Sequence, residues 1–385
     1  MAAGSYSGTR TWPRVAARSN ESGTLVTASQ HFRIGRNAFD LIRLLAALQV
    51  AIGHATEYLA PALSHSWWIR VLALFPGVPV FFLISGLLIS RSYETNSNLR
   101  EYTVNRSLRI FPGLVVCVAL NLLAVASTGY FGQVSASALD VALLGLGKST
   151  FLQFYNPPFM RGFGDGVLNG SLWTICVELQ FYCLVPVLYR LLRSCDRRQS
   201  NVRLAALSVV FFAFQHLLVV LRTEYADTVS WKLFNVSFLP WFYMFLVGVL
   251  AQRNLDRLLP LAQRVPTTWL LLSYVGYALA AGAAGLQLGN TIALPVFLPL
   301  AFLVIRAAFS GLREVSERLH KNDVSYGVYI YHMPFVNQLL FYERSGVGVL
   351  VGAIAASLAA ATLSWFLVEK PCLRFKKHPM HSVEA

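Results

Sequence analysis

Two ionisable side chains in one apolar segment have the spacing that acid–base chemistry on a long anionic ligand requires. Arg43 and His54 lie eleven residues apart in FDLIRLLAALQVAIGHA. In an α-helix this spacing makes three turns plus about 20°, which places both side chains on one face, about 16 Å apart along the axis. The guanidinium would hold a charged head, and the imidazole would act as a general base at the reactive end. Coenzyme A thioesters have that shape, with a phosphorylated head and a long thin arm.

A carboxylate in a second apolar segment is the predicted partner of this histidine. Glu178 lies in GSLWTICVELQFYCLVPVL, at a depth in its helix similar to that of His54. A carboxylate next to an imidazole raises its basicity and fixes its tautomer, as a general base requires. We therefore expect His54 and Glu178 to be the catalytic pair.

Other polar residues near the apolar segments are candidates for ligand binding. Arg106 and Arg109 are three residues apart at the predicted start of the third helix, where their guanidinium groups would bind phosphates. Asp40 is expected to cap the first helix and to orient Arg43. His332 follows a tyrosine-rich run and either lines the interior of the helix bundle or sits at a kink.

A purely structural interpretation remains open for each candidate. Arg106 and Arg109 would then be ordinary positive charges at a membrane surface, and Arg43 would extend to the same interface. His54 would be a histidine packed between helices. Glu178 is harder to explain structurally, because an unpaired carboxylate inside a membrane costs free energy.

The elements that must position these residues are membrane helices. Of the 385 residues, 56% are hydrophobic and 13% are charged, whereas a soluble domain has about 25% charged residues. Apolar runs long enough to cross a hydrocarbon core of about 30 Å recur along the whole chain. The sequence predicts an all-α polytopic bundle of about ten transmembrane helices. The ten runs are 39–60, 71–90, 110–128, 173–190, 204–221, 236–251, 268–285, 291–309, 324–341 and 346–367.

The distribution of basic residues predicts the orientation of the bundle. With both termini in the cytoplasm, the inner segments hold 25 of the 32 lysines and arginines, and the outer loops hold six. This bias follows the positive-inside rule, so the formal charge of +14 reflects membrane topology and not nucleic-acid binding. Residues 138–153 are apolar but short, and we interpret them as an interfacial or re-entrant part of a long outer loop, 129–172.

The chain is predicted to be one membrane domain, residues 39–369, between a flexible basic cytoplasmic tail, 1–38, and a second cytoplasmic tail, 370–385. No cleaved leader is expected at the polar N-terminus. The five cysteines form no CxxC pair and no Cys/His ligand pattern, so no metal site is indicated.

Six short motifs follow one another between about residue 38 and residue 375. The first is an acidic residue, a basic residue and a histidine, at Asp40, Arg43 and His54. The others are PVFFLISGLLIS, YTVNRSLRIFP, SLWTICVELQFYCLVPVL, DVSYGVYIYHMPF and VEKP. Each motif alone is weakly specific, but six in order are strongly specific. In these motifs and their order the chain resembles the acyltransferase-3 family of bacterial membrane O-acyltransferases.

The resemblance implies a ten-helix enzyme of the bacterial inner membrane that uses acyl-CoA, usually acetyl-CoA, as co-substrate without a bound cofactor. The acceptor would be a hydroxyl of a carbohydrate or lipid-linked glycan, and the first-helix arginine and histidine would be needed for activity. Arg43, Arg106 and Arg109 would bind the coenzyme. The residues expected to bind substrate are Asp40, Trp173, Tyr329 and His332. Besides the two substrates, only membrane lipids are expected as partners, with no nucleic acid.

Two features depart from the family pattern or remain unmatched. No hydrolase-like domain follows the core, which would make this the stand-alone form. The loop 129–172 matches nothing in the family and is expected to contact the acceptor.

Direct transfer is favoured over an acyl-enzyme because no serine or cysteine is clearly paired with the histidine. The alternative function is a transporter or flippase, which would show repeated halves with broken helices, and no such repeat is found.

Overall fold

The computed structural model describes residues 37–310, 316 and 322–376. Within these residues all regular elements are helices and no β-strand is present. Most of the two predicted tails lies outside the described residues. The longer helices are α1 (Phe39–Leu59), α2 (Trp67–Ala73), α3 (Gly77–Thr95), α4 (Leu99–Ser127), α5 (Tyr130–Gln133), α6 (Ala138–Lys148), α7 (Trp173–Leu192), α8 (Arg197–Tyr225), α9 (Val229–Asn235), α10 (Phe242–Arg253), α11 (Leu255–Gln263), α12 (Thr267–Ala283), α13 (Leu294–Ala308), α14 (Ser325–Phe341), α15 (Val347–Ser364) and α16 (Lys370–Leu373). Short 3-10 turns occupy Pro61–His65, Pro158–Gly162, Gly170–Leu172 and Gly289–Thr291, and a π-helical turn, Trp365–Glu369, joins α15 to α16.

Each of the ten apolar runs overlaps one of these helices, which confirms the all-α class for the described residues. Six helical stretches, of which 67–95 joins α2 and α3, are long and apolar enough to cross a membrane by length and composition. The stretches are 39–59, 67–95, 99–127, 170–192, 197–225 and 347–373. The apolar helices α10 and α13 are shorter, with 12 and 15 residues. The number of ten crossings and the cytoplasmic termini therefore stay predictions.

The start of α4 lies further towards the N-terminus than the sequence predicts. The helix begins at Leu99, because the side chain of Asn98 caps it by accepting from the backbone N–H groups of Arg100 and Glu101. Its first turns are polar, so an apolar window does not detect them. Arg106 and Arg109 consequently lie in the third turn of the helix and not at its first residues.

The predicted cap of α1 is also different. The helix begins at Phe39, whose backbone N–H donates to Asn37 Oδ1 at 3.1 Å, and the N-cap residue Ala38 makes no side-chain capping bond. Asp40 lies inside the first turn and is not the cap, contrary to the sequence prediction. Its carboxylate is still placed where the helix dipole favours a negative charge.

The segment 138–153 contains the helix α6 of 11 residues. A capping box, in which Ser137 and Asp140 exchange hydrogen bonds, fixes its first turn. Its length of about 16 Å is about half of a hydrocarbon core, so that it cannot cross one. Leu139 and Leu146 are 68% and 63% exposed, which fits the predicted interfacial position.

Close approach of two helices fixes the position of α3 in the bundle. A Cβ atom at Gly86 would overlap the carbonyl oxygen of Phe245 in α10, and a Cβ atom at Gly248 would overlap that of Leu83 in α3. Only glycine permits this backbone contact, which is how small residues bring membrane helices together. The contact holds Ser85, the neighbour of Gly86, at a defined place in the interior.

Candidate active site

Two contacts bring the first-helix candidates together with Asp323, two residues before α14, and with His332 on α14. Arg43 Nη1 donates to Asp323 Oδ2 at 2.6 Å, and His54 Nδ1 lies 2.9 Å from His332 Nε2. From the first contact to the second the residue number rises on both sides, from Arg43 to His54 and from Asp323 to His332, so that α1 and α14 run parallel. The two contacts confirm that Arg43 and His54 share one face, about 16 Å apart. We call the two ends of this pair the arginine end and the histidine end.

The hydrogen bonds of the histidine pair assign the tautomer of each ring. His332 Nδ1 lies 3.3 Å from the carbonyl oxygen of Val328, which can only accept, so that this nitrogen carries the proton. In the neutral ring, His332 Nε2 is then an acceptor, and His54 Nδ1 must be the donor in the bond between the rings. His54 Nε2 is left with its lone pair free, which is the form that a general base requires.

At the arginine end, one carboxylate joins two guanidinium groups. Asp323 Oδ2 accepts from Arg43 and from Arg109, and Asp323 Oδ1 accepts from the backbone N–H and the hydroxyl of Ser325. Burial alone would raise the pKa of Asp323, but the two arginines and Ser325 outweigh it and hold the pKa at about 2. Each guanidinium has five N–H donors, so that one shared oxygen leaves donors for a phosphate.

Two further cations extend this cluster. Arg106 donates to Ser92 Oγ at 3.1 Å, and its guanidinium lies 5.9 Å from the ring centroids of both Tyr102 and Tyr182. The ammonium group of Lys376 has its pKa lowered to about 8 by burial and by the positive charges of the three arginines, Arg109 first. Clustered positive charges repel one another, and binding of an anion relieves this repulsion. Asp40 and Glu369 also interact electrostatically with Arg109.

A cavity lies beside Arg43 in the interior of the bundle. It lies between α1, α3, α7 and α14, and Ser85, Glu178 and Tyr329 contribute its polar atoms beside Arg43. Its remaining lining residues are Val78, Phe81, Phe82, Thr174, Ile175 and Tyr326. The ring of Tyr329 contacts the ring of His332 with centroids 5.9 Å apart, which brings the cavity wall next to the histidine pair.

Glu178 and His54 have different partners from those that the sequence predicts. Glu178 Oε1 accepts from the hydroxyls of Ser85 and Tyr182, whereas the described residue that bonds to His54 is His332. The matching depth of the two residues is therefore not accompanied by a hydrogen bond. Glu178 lines the cavity, and His332 takes the place beside the candidate base.

The two aromatic candidates occupy different surroundings. The hydroxyl of Tyr329 lies 2.7 Å from that of Thr174, at the cavity wall. Trp173 packs against Trp241 with ring centroids 5.0 Å apart, one residue away from the lining residue Thr174. Tyr329 is thus at the site directly, and Trp173 supports the first turn of α7.

Asp323 and Lys376 are site residues that the sequence analysis missed. Both lie outside the apolar runs, so that a search for charges inside membrane helices passes over them. Asp323 is the first residue of the motif DVSYGVYIYHMPF, which was the available signal. Lys376 was counted only as part of the basic inner segment.

Among the described residues, no group of three His, Cys, Asp or Glu side chains is placed to hold a metal ion.

Comparison with known proteins places this geometry in context. Residues 36–369 match the acyltransferase-3 family model, described as an acyltransferase domain. Nodulation protein 10 of Rhizobium leguminosarum is 33% identical over 91% of this chain and 96% of its own length. The O-acetyl transferase of Shigella phage Sf6 is 25% identical over 87% of this chain and 95% of its length. The peptidoglycan O-acetyltransferase OatA of Listeria monocytogenes is 21% identical over 87% of this chain and 55% of its length. No solved structure matches the chain.

Proposed function

The chain belongs to the acyltransferase-3 family of membrane O-acyltransferases, and on that premise we propose that it moves an acyl group from acyl-CoA to a hydroxyl of a carbohydrate or lipid-linked glycan. Acetyl is the proposed acyl group, because two relatives are named as O-acetyltransferases. The single observation that carries the proposal is the α1–α14 pair, with its cationic cluster at one end and its oriented histidine pair at the other.

The donor would lie along the cavity with its phosphates at the arginine end. Arg43, Arg106 and Arg109 are the proposed phosphate contacts, with Lys376 as a fourth cation. The pantetheine arm would follow the cavity past Glu178 towards the histidine end. The distance of about 16 Å between the two ends suits an extended arm, because the arm separates the phosphates from the thioester.

His54 is the proposed general base. Its Nε2 takes the proton of the acceptor hydroxyl as the oxygen attacks the thioester carbonyl carbon. The tetrahedral intermediate collapses with cleavage of the C–S bond, and the coenzyme A thiolate recovers the proton from the imidazolium of His54. The new ester and free coenzyme A balance the reaction. A direct transfer of this kind needs no acyl-enzyme.

His332 is the proposed positioning residue for this base, because its acceptor nitrogen holds the proton on His54 Nδ1. Glu178, fixed by the hydroxyls of Ser85 and Tyr182, is proposed to position the substrates in the cavity. Tyr329 would shape the wall between the thioester and the histidine pair.

The proposed location is the bacterial inner membrane, with the arginine end facing the cytoplasm. The distribution of basic residues supports this orientation. Acyl-CoA would then reach the cationic cluster from the cytoplasm, and the histidine end would lie towards the outer side.

The test is transfer of labelled acetyl groups from acetyl-CoA into the lipid and glycan fractions of membranes that lack the native gene. Wild-type chain is compared with His54→Ala, Arg106→Gln and the control His216→Ala, whose histidine is exposed on α8. Loss of a general base is expected to lower the rate about 10²–10⁴-fold.

We expect Arg106→Gln to raise the KM for acetyl-CoA and His216→Ala to behave as wild type. Equal labelling by wild type and His54→Ala would contradict the role of the base. Absence of label with wild type, together with substrate uptake into vesicles that does not depend on acetyl-CoA, would support the transporter alternative.

A further inference from the structure

A polar cluster that the proposed reaction does not use lies at the histidine end, beneath the connection 129–172. Asn337 follows His332 by five residues on α14 and is buried. Its Oδ1 accepts from the backbone N–H of Asp165 at 3.2 Å, and its Nδ2 donates to the carbonyl oxygen of Val167 at 2.9 Å. These bonds fix the loop that carries Asp165 to the helix that carries His332.

The loop requires glycine at position 164, directly before Asp165. Gly164 has a φ of +58°, and a Cβ atom there would lie 2.7 Å from Asn337 Oδ1. The left-handed backbone and the contact with the amide together exclude other residues. The turn therefore sets the direction in which the following side chain, Asp165, projects.

One oxygen of Asp165 is used by the loop, and the other lies beside Gly170, close to α14. Oδ1 accepts from the backbone N–H of Val167 at 3.2 Å. A Cβ atom built on Gly170 would lie 3.2 Å from Oδ2 and 3.6 Å from the methyl group of Met333. The position that a side chain at Gly170 would occupy is therefore bordered by Oδ2 and by Met333, the neighbour of His332.

The distance from the histidine pair to Asp165 follows from two helices. On α14, Asn337 is about 7.5 Å beyond His332 along the axis. On α1, Tyr58 is one turn beyond His54, with ring centroids 6.5 Å apart, and its phenol interacts electrostatically with Asp165. Both routes place Asp165 one to two helical turns beyond the histidine pair, on the side away from Arg43.

Neighbouring groups show that this region is polar and partly unsatisfied. Lys148 is 2% exposed and interacts electrostatically with Asp165, while its Nζ donates to the carbonyl oxygen of Gln153 at 2.7 Å. Gln153 is 1% exposed, and both polar atoms of its amide are without a hydrogen-bond partner among the described residues. Buried amides are nearly always paired, so Gln153 leaves hydrogen-bonding capacity beside Lys148.

We propose that Asp165 binds the acceptor: its Oδ2 accepts hydrogen bonds from hydroxyl groups of a carbohydrate and holds the reacting hydroxyl against His54 Nε2. This inference rests on the proposed O-acyl transfer and names the residue that selects a hydroxyl-rich acceptor. Hydroxyl groups donate to a carboxylate in short, charge-assisted hydrogen bonds. Donor and acceptor then approach the histidine pair from opposite ends of α1, so that neither blocks the other.

The ionisation of Asp165 supports this role. Burial raises its pKa to about 6, although hydrogen bonds from the backbone of Val167 and from the side chain of Asn337, and the charge of Lys148, each lower it. Tyr58 and Lys148 are titratable groups that interact electrostatically with Asp165, and Glu57 interacts electrostatically with Tyr58. Acceptor binding is consequently expected to weaken as the pH falls below about 6, because the protonated carboxyl loses its charge.

The experiment measures acetyl transfer from labelled acetyl-CoA to a dilution series of the glycan and glycolipid fraction of membranes that lack the native gene. Full-length Asp165→Asn is compared with wild type and with Glu57→Gln, a matched control whose carboxylate is exposed at the same level. Loss of a charge-assisted bond is expected to raise the half-saturating acceptor amount about 10-fold or more, with the KM for acetyl-CoA unchanged. Glu57→Gln is expected to match wild type.

Gly170→Ala gives a second test, because its methyl group would lie 3.2 Å from Oδ2 and crowd that oxygen without removing the carboxylate. It should raise the half-saturating acceptor amount in the same way. The wild-type value should also rise between pH 7.5 and pH 5, and that rise should be absent in Asp165→Asn.

The inference is overturned if Asp165→Asn leaves the acceptor dependence unchanged, or if it raises the KM for acetyl-CoA equally. It is also overturned if the maximal rate alone falls. Failure of the underlying function has a different signature: wild type itself transfers no label from acetyl-CoA, although the purified protein is folded and monodisperse.

Discussion

Replacing His332 with leucine is expected to slow acyl transfer while leaving substrate binding intact. In the wild-type chain, His332 Nε2 accepts from His54 Nδ1 at 2.9 Å, which leaves His54 Nε2 as the basic nitrogen. Leucine fills much of the same volume but accepts no hydrogen bond. The imidazole of His54 then loses the contact that selects its tautomer and its ring orientation.

The size of the effect follows from this one hydrogen bond. A neutral intramolecular bond contributes about 0.5–1.5 kcal/mol, and leaving a buried donor unpaired costs about 1–3 kcal/mol. At 1.36 kcal/mol for each factor of ten, the rate falls by about 2-fold to about 160-fold. Most of this range lies below the loss of about 10²–10⁴-fold expected when the base itself is removed, and only its upper end reaches the start of that loss.

The assay is the initial rate of labelled acetyl transfer at saturating acetyl-CoA and acceptor, with His332→Gln as the matched control. Glutamine places an oxygen close to the position of Nε2 and can still accept from His54. We expect the glutamine variant to retain more of the maximal rate than the leucine variant, with both KM values near wild type in each.

Two outcomes would refute this argument. A leucine variant with wild-type rate would show that the inter-ring bond does not select the reactive tautomer. If the leucine and glutamine variants both fell to the level of His54→Ala, His332 would have to take part in the chemistry directly.

Three further predictions concern the arginine end and the bundle. Asp323→Asn removes one partner of a buried ion network, and thermal unfolding in detergent is expected to show a free energy of unfolding lower by about 3–5 kcal/mol. Because the pKa of Asp323 is held at about 2, the stabilisation is complete above the unfolded pKa near 4 and is lost as the pH falls towards 2. A constant difference between variant and wild type across this pH range would contradict the prediction. Gly86→Ala forces α3 away from α10 and should cost about 1–3 kcal/mol in the same assay, whereas Gly276→Ala, where a Cβ meets nothing within 4 Å, should not; equal stability of the two variants would be the contrary result. Because the pKa of Lys376 is about 8, kcat/KM for acetyl-CoA should fall as the pH rises through 8, and Lys376→Met should abolish this dependence; an identical pH profile in the variant would exclude the contact.

The helices could be predicted from the sequence because an apolar run of the length of a membrane leaves one solution for its backbone. The start of α4 could not, since LREYTVNRSLR is polar and is helical only through its Asn98 cap and its contacts. Hydropathy thus identified the helices. The residues at which they begin depend on local hydrogen bonds, which hydropathy does not describe.

The candidate site was predictable along α1 but not across helices. The spacing of Arg43 and His54 determines their shared face, which the contacts with α14 bear out. Matching depths suggested Glu178 as the partner of His54, but depth gives only a level in the membrane. The rotation of each helix about its own axis decides which side chains meet, and here it directs His332 and not Glu178 to the imidazole.

The pairing of α1 with α14 has a consequence for how the protein is made. The partners in the two contacts are 280 and 278 residues apart in the chain. At a synthesis rate of about 5–20 residues per second, α1 emerges from the ribosome about 14–56 s before its partner exists. During that time the first helix carries an arginine and a histidine into the lipid without their native contacts. Release of the nascent chain before α14 would therefore leave a polar helix exposed in the bilayer, a substrate for chaperones and membrane proteases.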